Sequence, residues 1–446
     1  MKKLDGSTRM RRGPVYRGAF CLTVGLLVMA AATSLAADVT LVQAKPPLAS
    51  WSVGLRSTGY AYQFVDEAGS TSDQFESYNV VSGSASGLAG GWLTFRGAGR
   101  FANDQTYARP GFETSRFYNG YFEARINPLL KARAGRMFVQ SGVASLTLDG
   151  ALLSYRRGRA LDITAWGGAQ APAGMAFDFG KVDQSGAGGA RVAWMPDRKW
   201  RLSASGAYRE RWSKVAGRPL GAELATTAVR NTRLFGRVAY DLETEQWTKI
   251  QFQAQWRPRK QIPVVTFQYI DRTPSIDAAS WFSRFTDLKR IKLARASLQY
   301  EAPSRFGGEL EYLGSFIDTR TTSRLGLAVL APYTRIGYSV RLGDAGEENR
   351  FYGEVGGNVA HWLWLDAAAT VMTYALMQDA PADQDRELTT LSARARATLR
   401  PGLRVVAEVQ SLKDPIFSKD VRFLLGIDLS MARGTSRYGL DRGGWF

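Results

Sequence analysis

Residues 391–400 read Leu-Ser-Ala-Arg-Ala-Arg-Ala-Thr-Leu-Arg, with Leu391, Ala393, Ala395, Ala397 and Leu399 on one face of an extended chain and Ser392, Arg394, Arg396, Thr398 and Arg400 on the other. A period of two is the signature of a strand whose faces meet different surroundings. The same alternation runs through Leu93–Arg96, Ile336–Arg341 and Leu403–Gln410, each time with charge on the polar face. A soluble sandwich rarely repeats that pattern some twenty times with arginine. Strands apolar outside and charged inside describe an all-β, antiparallel transmembrane barrel.

Twenty-two such segments can be marked between residues 50 and 430, from 50–64 to 421–430, giving about 22 strands within a range of 18–22. The segments 74–86 and 220–228 alternate least, and 130–138 and 149–156 are read as separate strands. Connections alternate in length. Asn127-Pro128-Leu129, Arg157-Gly158-Arg159, Pro196–Lys199, Arg257–Gln261 and Arg400-Pro401-Gly402 are short, whereas Asp66–Asp73, Asn103–Glu113, Ala171–Asp183, Asp271–Lys289, Ala375–Arg386 and Leu412–Asp420 are long. Tight periplasmic turns and longer outer loops are the rule in outer-membrane barrels. Trp51, Trp92, Trp194, Trp200, Trp247, Trp256, Trp362 and Trp364 lie near strand ends, where indole girdles are expected.

The N-terminus addresses the chain. Six basic residues precede an apolar run, Ala19–Ala32, followed by Ser34-Leu35-Ala36, the pattern of an exported signal segment over 1–36. Residues 37–49 then form a periplasmic lead-in, 50–430 the barrel and 431–446 a tail ending in Phe446. The single cysteine, Cys21, falls inside the signal segment, so disulfides, thiolate metal sites and covalent haem attachment are excluded for the remainder, and no cofactor is expected. Net charge is +18; without 1–36, 52 basic residues face 39 acidic ones, an excess of thirteen. Such an excess suggests nucleic acid in a soluble protein. Here it is dispersed one or two residues per strand, which assigns it to a lumen and excludes a nucleic-acid partner.

Parity then gives the inward set: Arg96, Arg100, Arg125, Arg133, Arg191, Arg201, Arg237, Arg295, Arg341, Arg394, Arg396 and Arg404 are expected to line the pore. Their guanidinium groups would concentrate anions between low-dielectric walls. Catalytic candidates are few. The only histidine, His361, belongs to a short turn beside tryptophans, and Glu309 with Glu311 lies among arginines, where pairing is the simpler role. The longest connection, Asp271–Lys289, carries Trp281, Phe282, Arg284 and Phe285 and is expected to fold inward as a constriction or to meet a partner.

The stretch Arg133-Ala134-Gly135-Arg136-Met137, followed by Leu148-Asp149-Gly150-Ala151-Leu152-Leu153-Ser154-Tyr155, resembles hairpins of porin-like and alginate-export-like outer-membrane barrels. Arg272–Ile276 with Ser280–Phe285 is similar to outer loops of porin–cytochrome conduits. The resemblances imply a porin-like outer-membrane barrel; with the inward arginine excess and the scarcity of catalytic groups, the expectation is a passive, anion-preferring channel that is not an enzyme. The alternative is a non-catalytic sheath around a periplasmic or multihaem cytochrome partner, or around a polymer-export complex. Outer-membrane lipid, lipopolysaccharide and the barrel-assembly machinery are the general partners of either.

Overall fold

The computed structural model describes residues 50–65, 71–104, 114–172, 174, 177–258, 263–274, 289–302, 305–344, 346–375, 386–413 and 420–433. The strands are β1 (Ser50–Val65), β2 (Thr71–Leu88), β3 (Leu93–Asp104), β4 (Ser115–Arg125), β5 (Leu130–Ser141), β6 (Ala144–Arg157), β7 (Leu161–Gln170) and β8 (Gly186–Trp194). There follow β9 (Trp200–Arg211), β10 (Lys214–Gly217), β11 (Pro219–Thr226), β12 (Thr232–Asp241), β13 (Gln246–Trp256), β14 (Val264–Arg272), β15 (Ile291–Glu301) and β16 (Gly307–Ile317). The ring ends with β17 (Arg320–Ala331), β18 (Thr334–Gly343), β19 (Glu348–Ala360), β20 (Leu363–Tyr374), β21 (Arg386–Arg400), β22 (Leu403–Lys413) and β23 (Asp420–Arg433).

Consecutive strands pair antiparallel, and β23 returns to pair with β1 from Trp51↔Arg433 to Ala61↔Phe423, which closes the sheet. β10 and β11 both pair with β9 and flank Arg218, so they are two pieces of one stave. The wall is therefore a closed antiparallel barrel of 22 staves, porin-like in architecture. No helix among the described residues is long and apolar enough to cross a membrane.

Side-chain parity follows the register. Val53, Leu55, Phe122, Val192, Phe252, Phe267, Leu310, Leu327, Phe351, Leu391 and Phe423 are exposed large apolar residues on one face, while the arginines of the same strands occupy the other. An apolar surface of this extent suits hydrocarbon and not water. Trp51, Trp92, Trp194, Trp200, Trp256 and Trp362 are exposed at the end with the short connections, as a girdle requires, and Trp247 is exposed at the opposite end. Trp364 does not belong to it. It shares a face with Asp366, to which its Nε1 donates a hydrogen bond of 3.1 Å, and therefore points inward.

One hairpin leaves the wall. β5 pairs with β4 only as far as Gly120↔Arg136, and β6 pairs with β7 only from Leu148, yet β5 and β6 stay paired to Ser141↔Ala144. The break falls at Gly135, whose φ of +123° suits glycine, and a Cβ there would lie 2.3 Å from the Gly120 carbonyl oxygen. The expected loop between 138 and 149 is thus a continuation of both strands around a turn at Gly142 and Val143. Met137, Val139, Leu146 and Leu148 pack on Trp166 and Ala187 of the inner wall, with Tyr121 and Ala207 alongside. Each of these large residues contributes about 1.5–3 kcal/mol relative to exposure to lumen water. This cluster is the barrel's apolar core.

The parity assignment has a direct test. Ala395 faces outward opposite Leu365, and Ser392 faces inward. Ala395→Arg should destabilise the folded barrel by about 2–4 kcal/mol in lipid, and Ser392→Arg should leave it near wild type. Urea titrations of folding into vesicles measure both, and equal costs at the two positions would reverse the assignment.

Candidate functional site

The inner wall divides into arcs of different charge. On β15–β19 the inward residues Arg295, Arg320, Arg324, Arg335, Arg341 and Arg350 meet Glu301, Glu309, Glu311, Glu348 and Glu354, six against five. Glu311 accepts from both Arg295 (2.8 Å) and Arg324 (2.9 Å), Arg335 reaches Glu309 at 2.9 Å, and Arg341 lies 3.4 Å from Glu348. Tyr352 lies between Arg335 and Arg350, whose guanidinium carbons are 5.5 and 5.2 Å from its ring centre. On β20–β23, Asp366 holds Arg394 (3.0 Å) and Arg396 (2.9 Å), Glu408 lies 3.9 Å from Arg394, and Asp428 takes Arg56 of β1 at 2.6 Å. Cross-strand pairs of this kind stiffen a wall and leave little net field.

The arc β8–β14 is different. Arg191, Arg201, Arg209, Arg211, Lys214, Arg233, Arg237, Lys249 and Arg272 point inward against only Glu223 and Asp241, nine basic residues to two acidic. Glu223 is shared by Arg191 (2.9 Å) and Arg237 (3.4 Å) and also accepts from Ser203. Arg201, Arg209, Arg233, Lys249 and Arg272 have no ion-pair partner among the described residues. The basic residues of the arc run from the short-turn end (Arg201, Arg233) through the Glu223-paired Arg191 and Arg237 at mid-height to the loop end (Arg209, Lys249, Arg272). β1–β7 carry a smaller basic excess.

The inward hairpin ends on this same arc. Arg237 donates through Nη2 to the Gly142 carbonyl, and the Val143 N–H donates to Ser205 Oγ at 3.1 Å. The face of the hairpin turned away from the wall carries Gln140, Ser145 and Phe138, the last 58% exposed. At its root, Arg136 and Asp149 form a bidentate pair of 2.6 and 2.8 Å with side chains 0% and 3% exposed. Arg136 also donates to the carbonyls of Phe117 (3.1 Å) and Asp178 (2.6 Å), and Asp149 accepts from the Gly180 N–H (2.7 Å). Asp178 and Gly180 belong to the β7–β8 connection, which lies over the outer face: Phe177 stacks on the outward Phe101 and Phe117, and Phe179 lies against Arg136.

All twelve predicted lumen arginines lie on the inward face, but their surroundings differ. Arg133 pairs with Glu123 (2.7 Å), Arg100 lies over the Tyr78 ring, and Arg341, Arg394 and Arg396 belong to paired arcs. Arg404 is opposite Asp428 in register, and Arg125 is exposed at the short-turn end. The expected constriction residues Trp281, Phe282, Arg284 and Phe285 lie outside the described residues, as do 1–49 and the tail from 434. The inward face also holds Arg324 and Arg350, which are not among the twelve expected residues. Arg136 was hidden because it shares the outward parity of the apolar residues. At the loop end, Lys289 holds the Asp318 carboxyl below its ordinary value, by hydrogen bond first and charge second. Among the described residues no group of three or more His, Cys, Asp or Glu side chains is arranged to hold a metal ion.

No protein-family model matches the chain, and no curated protein matches it. Among solved structures, the P pilus usher (PapC) translocation pore is similar over 85% of this chain and 99% of its own, at 10% identity and a TM-score of 0.48. Acinetobacter baumannii OccAB4 is similar over 88% and 100%, at 8% identity and 0.45, and the Pseudomonas aeruginosa outer membrane protein opdK over 86% and 99%, at 11% and 0.38. The architecture of this chain rests on its own strand register.

The paired arcs should act as structure. Asp366→Asn removes the shared acceptor of Arg394 and Arg396 and should lower barrel stability by about 1–3 kcal/mol, read as earlier heat unfolding on gels that separate folded from unfolded barrels. Unchanged heat resistance would show that these ion pairs hold nothing together.

Proposed function

We propose that the chain is an outer-membrane channel for passive movement of small solutes, with a preference for anions. The observation that carries this reading is the β8–β14 arc, where nine basic residues face two acidic ones inside a closed, outwardly apolar barrel. Fixed positive charge along a low-dielectric wall raises the local concentration of anions and repels cations. Arginine suits the wall because its guanidinium stays charged and can hold a carboxylate while keeping donors free for a passing ion.

The outward apolar face and its tryptophans support lipid and lipopolysaccharide as the surroundings in this reading, with the assembly machinery of that membrane as the means of insertion. A sheath around a separate cytochrome is the reading to which a silent barrel would return.

Planar-bilayer recording separates them. Wild-type protein in a salt gradient should give a reversal potential on the anion side. Replacing Arg201, Arg233 and Lys249 by glutamate should move it toward the cation side, and less so as salt rises, because the Debye length falls from about 10 Å at 0.1 M to about 3 Å at 1 M. The same reversal at Arg341, Arg394 and Arg396 should chiefly lower heat resistance. A wild-type barrel that never conducts, or a first triple variant with unchanged preference, would overturn the reading.

A further inference from the structure

A ring of 22 staves about 4.8 Å apart and tilted about 40° would be about 44 Å across if circular. Ions in 0.1 M salt feel a wall charge over about 10 Å. That width is measured between strand axes, and the lumen left inside the inward side chains still exceeds this reach, so one arc of the wall selects ions only if something confines the path beside it. Among the described residues, the element that enters the lumen and ends on β8–β14 is the hairpin of β5 and β6.

From this geometry we infer that the hairpin is a fixed partition that confines solutes beside the basic arc, and that Arg136 is its positioning residue. The inference rests on the channel reading above. Three sets of contacts hold the hairpin. Its root is fixed by the Arg136–Asp149 pair, its middle by Met137, Val139, Leu146 and Leu148 against the inner wall, and its tip by Arg237 and Ser205. The root is the unusual part. A fully buried guanidinium is bound to β6 through Asp149, to β4 through the Phe117 carbonyl and to the outer connection through the Asp178 carbonyl.

That arrangement makes the outer connection part of the lock. Gly180 donates to the same carboxylate, and a Cβ on Gly180 would lie 2.5 Å from the Gln170 carbonyl oxygen, so the connection fits closely over the root. Phe138, on the face turned away from the wall and 58% exposed, gives the partition an apolar lumen-side surface. The hairpin is held at both ends, which is the construction of a partition and not of a gate.

The test uses a cross-link at the tip. Val143 N lies 3.1 Å from Ser205 Oγ, and the side chains of both residues lie beside Gly221, so Val143→Cys with Ser205→Cys, in a chain also carrying Cys21→Ser, should cross-link under mild oxidant or a short bis-thiol reagent. Adding Arg136→Gln should lower the cross-link yield at least about threefold and reduce the anion-to-cation permeability ratio by about half, and forming the cross-link in that variant should restore the ratio. Gly180→Ala loosens the lock from outside the wall, so it serves if Arg136→Gln fails to fold; it should lower both readings in the same direction.

An unchanged yield in both variants would overturn the positioning role. A reduced yield with an unchanged permeability ratio would overturn the partition. If the uncross-linked wild-type channel switched between conductance levels and oxidation abolished the switching, the hairpin would be a gate and the inference wrong. A silent wild-type barrel would instead overturn the channel reading and the selectivity role with it, while the cross-link yields still decide whether Arg136 holds the hairpin.

Discussion

A strand that crosses hydrocarbon must have both of its edges paired, because the medium offers no partner for an unsatisfied N–H or carbonyl. The pairing of β1 with both β2 and β23 meets that requirement for the whole wall. Once the ring is closed, every strand has one face toward the surroundings and one toward the lumen, and the alternation of side chains becomes a division of environments. A register slip of one residue would carry Arg394 and Arg396 to the outside and Ala395 to the inside, so the same alternation also fixes the register.

Closure creates a second problem, since a wide ring encloses charged side chains that repel one another. The wall answers it locally. Glu311 lies between Arg295 and Arg324, Asp366 between Arg394 and Arg396, and Glu223 between Arg191 and Arg237. A carboxylate shared by two arginines neutralises half of the charge around it and fixes both guanidinium planes. Where carboxylates run out, on β8–β14, Arg201, Arg209, Arg233, Lys249 and Arg272 have no carboxylate partner among the described residues, which leaves their charge to solvent or a passing ion. Selective pairing of one side of the lumen is therefore what gives the other side its field.

Period two made the wall legible in the sequence, because residues such as Leu391–Arg400 and Ile336–Arg341 each face one environment throughout. It also gave the inward parity of Arg191, Arg201 and Arg237. What parity could not give was pairing: Arg394 and Arg233 look alike along the chain, and only the register shows that one faces Asp366 and the other faces Gln255. Trp364 was misplaced for a related reason, since closeness to a strand end does not distinguish the two faces. The hairpin was the hardest element. Beyond Gly135 its strands keep alternating, so nothing in the periodicity of Met137–Leu148 marks the departure from the wall; the signal lay in the pairing of Gly135-Arg136 with Asp149-Gly150, two charges at outward parity beside two glycines.

That pair shows how a local violation of the pattern carries the larger geometry. An arginine on the lipid-facing parity of a barrel is costly unless its charge is paired and its donors are satisfied. Arg136 meets both conditions, through Asp149 and the carbonyls of Phe117 and Asp178, and aromatic rings of Phe117 and Phe179 cover it. The connection that supplies Asp178 and Gly180 lies outside the wall, whereas the hairpin that the pair anchors lies inside it. A buried ion pair with one partner removed typically loses about 3–5 kcal/mol, because the remaining charge cannot reach water. The outer connection and the lumen hairpin are therefore coupled by a single interaction, and a change on the outer surface that disturbs Phe177–Gly180 has a direct physical route to the tip at Gly142.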